Sequence, residues 1–210
     1  MNLAKPGRRV LVTADTHFLD PEACRRYGRP FESTAAMDDA LVERINATVG
    51  ERDVLLHVGD FASPTEWTRE ARRATEAIRE RIACRRIVLV RGNQDPRKTW
   101  FERLFHEVHD HLSFRVTLGD GTAVRAVVDH YPTRMWHGWV SGAVHLHGHA
   151  HAAIAEDGRS TDVGVDCWHY EPVPLDRVVA MLVGRPFTPP DAFPRRQEMR
   201  RGSDLSGAEP

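Results

Sequence analysis

The 210-residue sequence predicts an α/β protein in which a second sheet packs on a first, with helices outside. Three features point that way: apolar runs in the first half that end abruptly in Gly, Asp or Asn; charged amphipathic segments between those runs; and a hairpin followed by short strand-like runs in the second half.

The runs "RRVLVTAD" (8–15), "DVLLHVGD" (53–60) and "RRIVLVRGN" (85–93) are almost continuously apolar, as strands covered on both faces are. Residues 34–49 and 64–83 place apolar side chains at mixed three- and four-residue intervals among many charges, the pattern of surface helices. Pro64 suits the first turn of the second helix and Ser63 its cap. The first half therefore reads β-α-β-α-β. In the second half, "LSFRVTL" (112–118) and "TAVRAVVDH" (122–130) flank Gly119-Asp120-Gly121, a hairpin signal. Further strands are expected at 143–147, 151–155, 161–166 and 177–183. Residues 18–33 form a long irregular connection, placed where a substrate loop would sit. One domain is expected over 1–183. From Gly184 the chain turns rich in Pro, Arg and small polar residues, so 184–210 is expected to be a flexible tail, or one that docks on a second copy in a homodimer.

A formal charge of −1 gives no global reason to expect nucleic acid or an anionic membrane as partner; a nucleic-acid substrate stays open without support from charge. Cys24, Cys84 and Cys167 are odd in number and lack a CxxC pattern, which argues against a disulfide framework and a zinc-thiolate knuckle. The N-terminus runs from a short basic start straight into a strand-like run, without a signal-peptide apolar stretch, and no apolar run approaches the ~20 residues of a membrane span. The cytoplasm is the expected compartment, with no membrane partner.

The chemistry concentrates at strand ends. Asp15 and His17 close the first run; positions two apart on an extended chain face the same way, so both can point at one ion. Asp60 closes the second run, and carboxyl ends of neighbouring strands are where α/β folds build sites. Asn93 closes the third, and His130 closes the run at 122–130. Alone, Gly-Asp and Gly-Asn mark turns more often than ligands. "AVHLHGHAH" is the most specific piece: His145, His147, His149 and His151 recur at period two, although Gly148 can bend the chain and turn some away. A core face of four imidazoles would need a hydrogen-bond partner for each ring. Imidazole with carboxylate and amide oxygens suits Mn²⁺, Fe²⁺, Zn²⁺ or Ni²⁺, and this number of ligands suits two ions better than one.

On these segments the chain resembles the calcineurin-like metallophosphoesterases, which read Asp-x-His, Gly-Asp, Gly-Asn-His-Asp/Glu, a His, and Gly-His-x-His. The matching residues are Asp15-Thr16-His17, Gly59-Asp60, Gly92-Asn93-Gln94-Asp95, His130 and Gly148-His149-Ala150-His151. "DTHF", "RPF", "GDF", "HYP", "HLHGHAH" and "VGVDCW" are similar to a small bacterial and phage branch of that family. The resemblance implies a four-layer α/β/β/α sandwich of two mixed sheets flanked by helices. It also implies two divalent ions, Mn²⁺ foremost, at the strand ends. Carried over by position, one ion would be held by Asp15, His17, Asp60 and His151, the other by Asp60, Asn93, His130 and His149, with Asp60 bridging. Two such ions share a hydroxide and hydrolyse a small phosphoester.

The departure is Gln94. In the family a histidine there is read as stabilising the phosphoryl oxygen and helping to protonate the leaving alkoxide, fixed by the adjacent acid, here Asp95. Glutamine can donate a hydrogen bond but cannot be a general acid, a function typically worth ~10²–10⁴-fold. Poor leaving groups should suffer most, so phosphodiesters are the favoured substrates. His147 is the candidate to replace the acid or to stand near the substrate; Arg29 and Arg134 are candidate phosphate contacts, although for each a solvated surface arginine is the favoured reading. Trp136, Trp139 and Trp168 could wall the cleft or fill the core. Two rival readings are a phosphomonoesterase and a metal-dependent protein that binds phosphorylated ligands without turnover.

Overall fold

The computed structural model describes residues 8–156 and 158–187. Strands β1 (Val10–Thr13), β2 (Val54–His57), β3 (Arg86–Val90) and β4 (Glu107–His109) run parallel. A two-residue strand, β9 (Val173–Pro174), lies antiparallel on β1 and completes the sheet order β4-β3-β2-β1-β9. The crossovers carry helices α1 (Ala23–Arg26) and α2 (Thr34–Thr48) between β1 and β2, and α3 (Arg69–Arg81) between β2 and β3; α4 (Thr99–Glu102) precedes β4. The second sheet is β5 (Leu112–Thr117), β6 (Ala123–Val128), β7 (Val144–His147) and β8 (Ser160–Asp162), with an antiparallel β5-β6 hairpin and parallel β6-β7-β8. Helix α5 (Leu175–Val183) ends the described fold. Two mixed sheets with flanking helices are the architecture the sequence predicts.

Period-two alternation builds two cores from one sheet. Leu11, Leu55, Ile87 and Leu89 face α2 and α3, meeting Met37, Leu41, Ile45 and Ile78. Val12, Leu56, Val88 and Val90 face the other way, onto Phe114, Ala126, Val144 and Leu146 of the second sheet. Both faces of β1–β3 are covered, which explains their continuous apolar runs. Truncating a fully buried side chain such as Leu56 or Leu146 to Ala would cost about 2–5 kcal/mol. Because Val144 and Leu146 point into the sandwich, His145 and His147 must point away from it.

Several expected elements are corrected. The second helix does not start at Pro64 under a Ser63 cap; it starts at Arg69, capped by Thr68, whose side chain accepts from the Ala71 N–H. Residues 151–155 are not a strand, since His151 and Ala152 take φ of 47° and 63° in a turn. The strand expected over 161–166 stops at Asp162. The apolar run 177–183 is helical: Leu175, Val178, Val179 and Leu182 are the buried positions, at helical three- and four-residue spacing, and they close the core between the sheets. The tail expected over 184–210 lies, from residue 188 on, outside the described residues. Among the described residues no helix is long and apolar enough to cross a membrane.

Candidate metal centre

The predicted ligands converge, though not through strand alternation. Asp15, His17, Asp60, His149 and His151 lie beyond their strands in left-handed backbone, with φ of 56°, 48°, 55°, 68° and 47°. Few non-glycine residues adopt that conformation, and it concentrates at functional sites. Here it is held by pairing between the two connections that leave β1 and β2: the amides of Asp15 and His17 donate to the carbonyls of Gly59 and Asp60, each at 3.0 Å. On the second sheet the Gly148 amide donates to the His130 carbonyl at 3.0 Å, which joins the β6 and β7 ends. The extended geometry expected for Asp15 and His17 is therefore replaced by a turn that aims both side chains inward.

Two ligand groups result. Asp15, His17 and His151 form one and Asp60, His130 and His149 the other, with the ligand atoms of each within 4.8 Å of one another. Asp60 lies between them: its Oδ2 is 3.6 Å from His17 Nε2 and 3.5 Å from His130 Nε2, while its Oδ1 accepts from the Gln94 N–H at 2.8 Å. Asn93 Oδ1 lies 3.0 Å from His130 Nε2, on the side of the second group. A recess of about 570 Å³, lined by Asn93, Asp95, Asp129, His130 and Tyr131 among others, reaches this group at His130.

Orphaned polar atoms test whether cations fit. Asp15 Oδ1 and both ring nitrogens of His17 are buried without a hydrogen-bond partner among the described residues, a costly arrangement that a coordinated ion would relieve. The imidazole tautomers agree. His130 Nδ1 donates to the Val58 carbonyl at 2.9 Å and His151 Nδ1 to Asp166 Oδ2 at 2.7 Å, so in each neutral ring Nε2 keeps its lone pair for the cluster. Glycines make the close approach possible. A Cβ at Gly148 or Gly164 would sit 2.7 Å from Asp15 Oδ2, and one at Gly92 would overlap Asp60 Oδ1. The donor set of imidazole, carboxylate and amide oxygen fits divalent first-row ions.

Electrostatics without cations are poised for them. Burial pushes the Asp15 carboxyl well above the usual carboxylate range, and Asp162 and Asp60 add to the shift. Burial also holds His17 down at about 3. For His130 burial works downward but is outweighed by the hydrogen bond and charge of Asp60, which lift it to about 9. In effect His130 substitutes for a cation beside Asp60, a place that a bound ion would take over.

The remaining candidates fall into three situations. Arg29 is neither a surface residue nor free for phosphate: its side chain is 0% exposed, and its guanidinium donates to both Asp166 oxygens at 2.8 and 2.9 Å and to the Asp15 and Thr16 carbonyls at 2.7 and 3.0 Å. It orients His151 through Asp166 and fixes the Asp15 turn. Asp95 is likewise spent on backbone, accepting from the amides of Asp60, Phe61 and Gly92 at 2.8–2.9 Å, so it braces two ligand loops rather than fixing the residue at 94; burial raises it to about 6. Gln94 and Arg134 are exposed, while His147 is buried with Nδ1 donating to the Gly148 carbonyl at 2.9 Å. His57 is packing, with Nε2 at 3.0 Å from Thr16 Oγ1. Trp168 packs on the inter-sheet core and donates to the Asp162 carbonyl. Sequence reasoning assigned no role to Asp166, or to Tyr27, whose ring stacks on His151 at 3.5 Å between centroids. Asp166 lies in "VGVDCW", which was the available signal; Tyr27 offered none.

Compared with known proteins, residues 8–176 match the calcineurin-like phosphoesterase family. The chain is 26% identical over 186 residues to an uncharacterized protein of Methanocaldococcus jannaschii, covering 83% of this chain and 92% of that one. Among solved structures it is similar to a protein of unknown function from Aquifex aeolicus, with a TM-score of 0.60 and 19% identity over 83% of this chain and 100% of the other. It is also similar to the nuclease MPE of Pseudomonas putida, at a TM-score of 0.44 and 22% identity, over 69% of this chain and 62% of that one.

Proposed function

The chain belongs to the calcineurin-like phosphoesterase family, and from that premise we propose that it is a dinuclear metal-dependent phosphodiesterase. The observation that carries this reading is Asp60 Oδ2, within 3.6 Å of an imidazole nitrogen of each ligand group, where a carboxylate shared by two ions would lie. One ion would be held by Asp15, His17, Asp60 and His151, the other by Asp60, Asn93, His130 and His149. Divalent ions there, with Mn²⁺ the first choice for these donors, would supply an activated water and Lewis-acid polarisation of a phosphoryl oxygen.

The chain's own residues then decide the substrate. Gln94, exposed and tied by its backbone N–H to Asp60 Oδ1, carries a side-chain amide that can donate a hydrogen bond but has no proton to give a departing alkoxide. Asp95 cannot make up the loss, because its oxygens are taken by three backbone amides. Esters whose leaving group departs unassisted are favoured, which selects aryl, cyclic and anhydride-like phosphodiesters over alkyl monoesters. The test is a Mn²⁺-supplemented panel of bis-p-nitrophenyl phosphate, p-nitrophenyl phosphate and an alkyl phosphodiester with wild type and Gln94→His. The expected result is aryl diester turnover by wild type, with Gln94→His raising the alkyl rate by 10-fold or more and changing the aryl rate little. Equal effects on both leaving groups would contradict the leaving-group argument, and faster monoester than diester hydrolysis would move the assignment to a phosphomonoesterase.

A further inference from the structure

Beside the candidate centre lies a second recess, of about 860 Å³. Its floor is His147 and Asp162 at the ends of β7 and β8, and Trp136, Trp139 and Phe187 wall it. It meets the smaller recess over Asn93 and His130 at Thr133, which lines both. Apolar side chains of this lining stand in water: Met135 is 55% exposed and Ile154 53%, and Tyr131 of the adjoining recess is 51% exposed. Clustered exposure of this kind marks a binding surface.

The polar groups of the recess differ in availability. His145, buried behind Trp136 and outside the lining, is spent, with Nδ1 at 2.9 Å from Ser160 Oγ and its ring stacked on Trp136 at 5.1 Å. His147 donates Nδ1–H to the Gly148 carbonyl, which leaves its Nε2 as an acceptor at the recess floor. Arg134 stands exposed at the rim. An aliphatic occupant would bury these polar groups unpaired, whereas a nucleobase offers a π-face to the tryptophans and in-plane donors and acceptors to the floor. The volume lies within the range of small-molecule sites.

We propose that this recess holds the base of a nucleoside substituent, so that the phosphodiester hydrolysed at the candidate centre is a nucleoside ester. The proposal rests on the phosphodiesterase reading for its reaction but not for its binding. The test compares thymidine 5′-(p-nitrophenyl phosphate) with methyl p-nitrophenyl phosphate under Mn²⁺, in wild type, Trp139→Ala and Met135→Ala. Wild type should prefer the nucleoside ester at least 10-fold in kcat/KM. Trp139→Ala should cut that preference by about 10-fold, the size of a lost base–aromatic stack, and Met135→Ala, at an exposed position that does not threaten the fold, by a smaller factor. In parallel, adenosine 5′-monophosphate should quench tryptophan fluorescence where ribose 5-phosphate does not. No preference in wild type, a preference untouched by both variants, or equal quenching by the two phosphates would overturn the proposal. Hydrolysis of neither ester alongside nucleotide-specific, Trp139-dependent quenching would instead overturn the hydrolytic reading and uphold the recess.

Discussion

Arg29 shows how one side chain can serve several ligands at once. Its guanidinium is fully buried and reaches two carbonyls of the Asp15 turn and the carboxylate that orients His151. Lysine keeps the charge but cannot fork to Asp166 and to both carbonyls together. Arg29→Lys is predicted to weaken Mn²⁺ binding by about 10–100-fold, the usual scale for loss of a residue that orients metal ligands, as measured by titration of the apoprotein; unchanged affinity would show that Asp166 holds His151 without help. At this scale the sequence was only partly legible. The residues that converge at the candidate centre could be named because Asp, Asn and His stand beside glycines at strand ends. The role of Arg29, expected to be a phosphate contact or a surface residue, could not be read, because its carboxylate partner is 137 positions away and only the folded chain brings the two together. The backbone of Asp15 and His17 was also misread: period two holds within a strand, and both residues lie past the end of β1 in left-handed conformation.

Among elements, α2 and the connection that follows β1 depend on a buried carboxyl. Asp38, 5% exposed, accepts from the Leu19 N–H, and Leu19 itself has φ of 66°. Burial raises Asp38 from 3.8 to about 7. The folded state thus holds this proton more tightly than the unfolded chain, so stability falls as pH rises from about 4 to about 7. Asp38→Asn removes the ionisation and retains an acceptor oxygen. Denaturant unfolding should show the variant and wild type nearly equal at pH 4, with the variant gaining an advantage on the order of a few kcal/mol by pH 7; a difference flat in pH would contradict the assignment. Strands β1–β3 and the hairpin were legible because burial on both faces and turn chemistry leave local signals, whereas the short, half-buried edge strands β4 and β9 were not expected. Helix α5 was misread as a strand because Val-Val-Ala-Met-Leu-Val has β-branched composition, and its helical spacing appears only when Leu175 is counted with Val178, Val179 and Leu182.

Over the whole molecule, the two sheets are brought together so that β1, β2 and β3 deliver one set of candidate ligands and β6 and β7 the other. The first sheet supplies Asp15, His17, Asp60 and Asn93, the second His130, His149 and His151. Each group draws on both sheets, so bound ions would tie the sheets to each other as well as supply chemistry, and chelation is expected to lower Tm. That sharing makes the number of ions per chain the most direct test. Elemental analysis of wild type and Asp60→Asn after equilibration with Mn²⁺ and removal of free metal should find two ions in the first and at most one in the second. Fewer than two in wild type, or two retained without the Asp60 carboxylate, would contradict a dinuclear centre bridged at this residue.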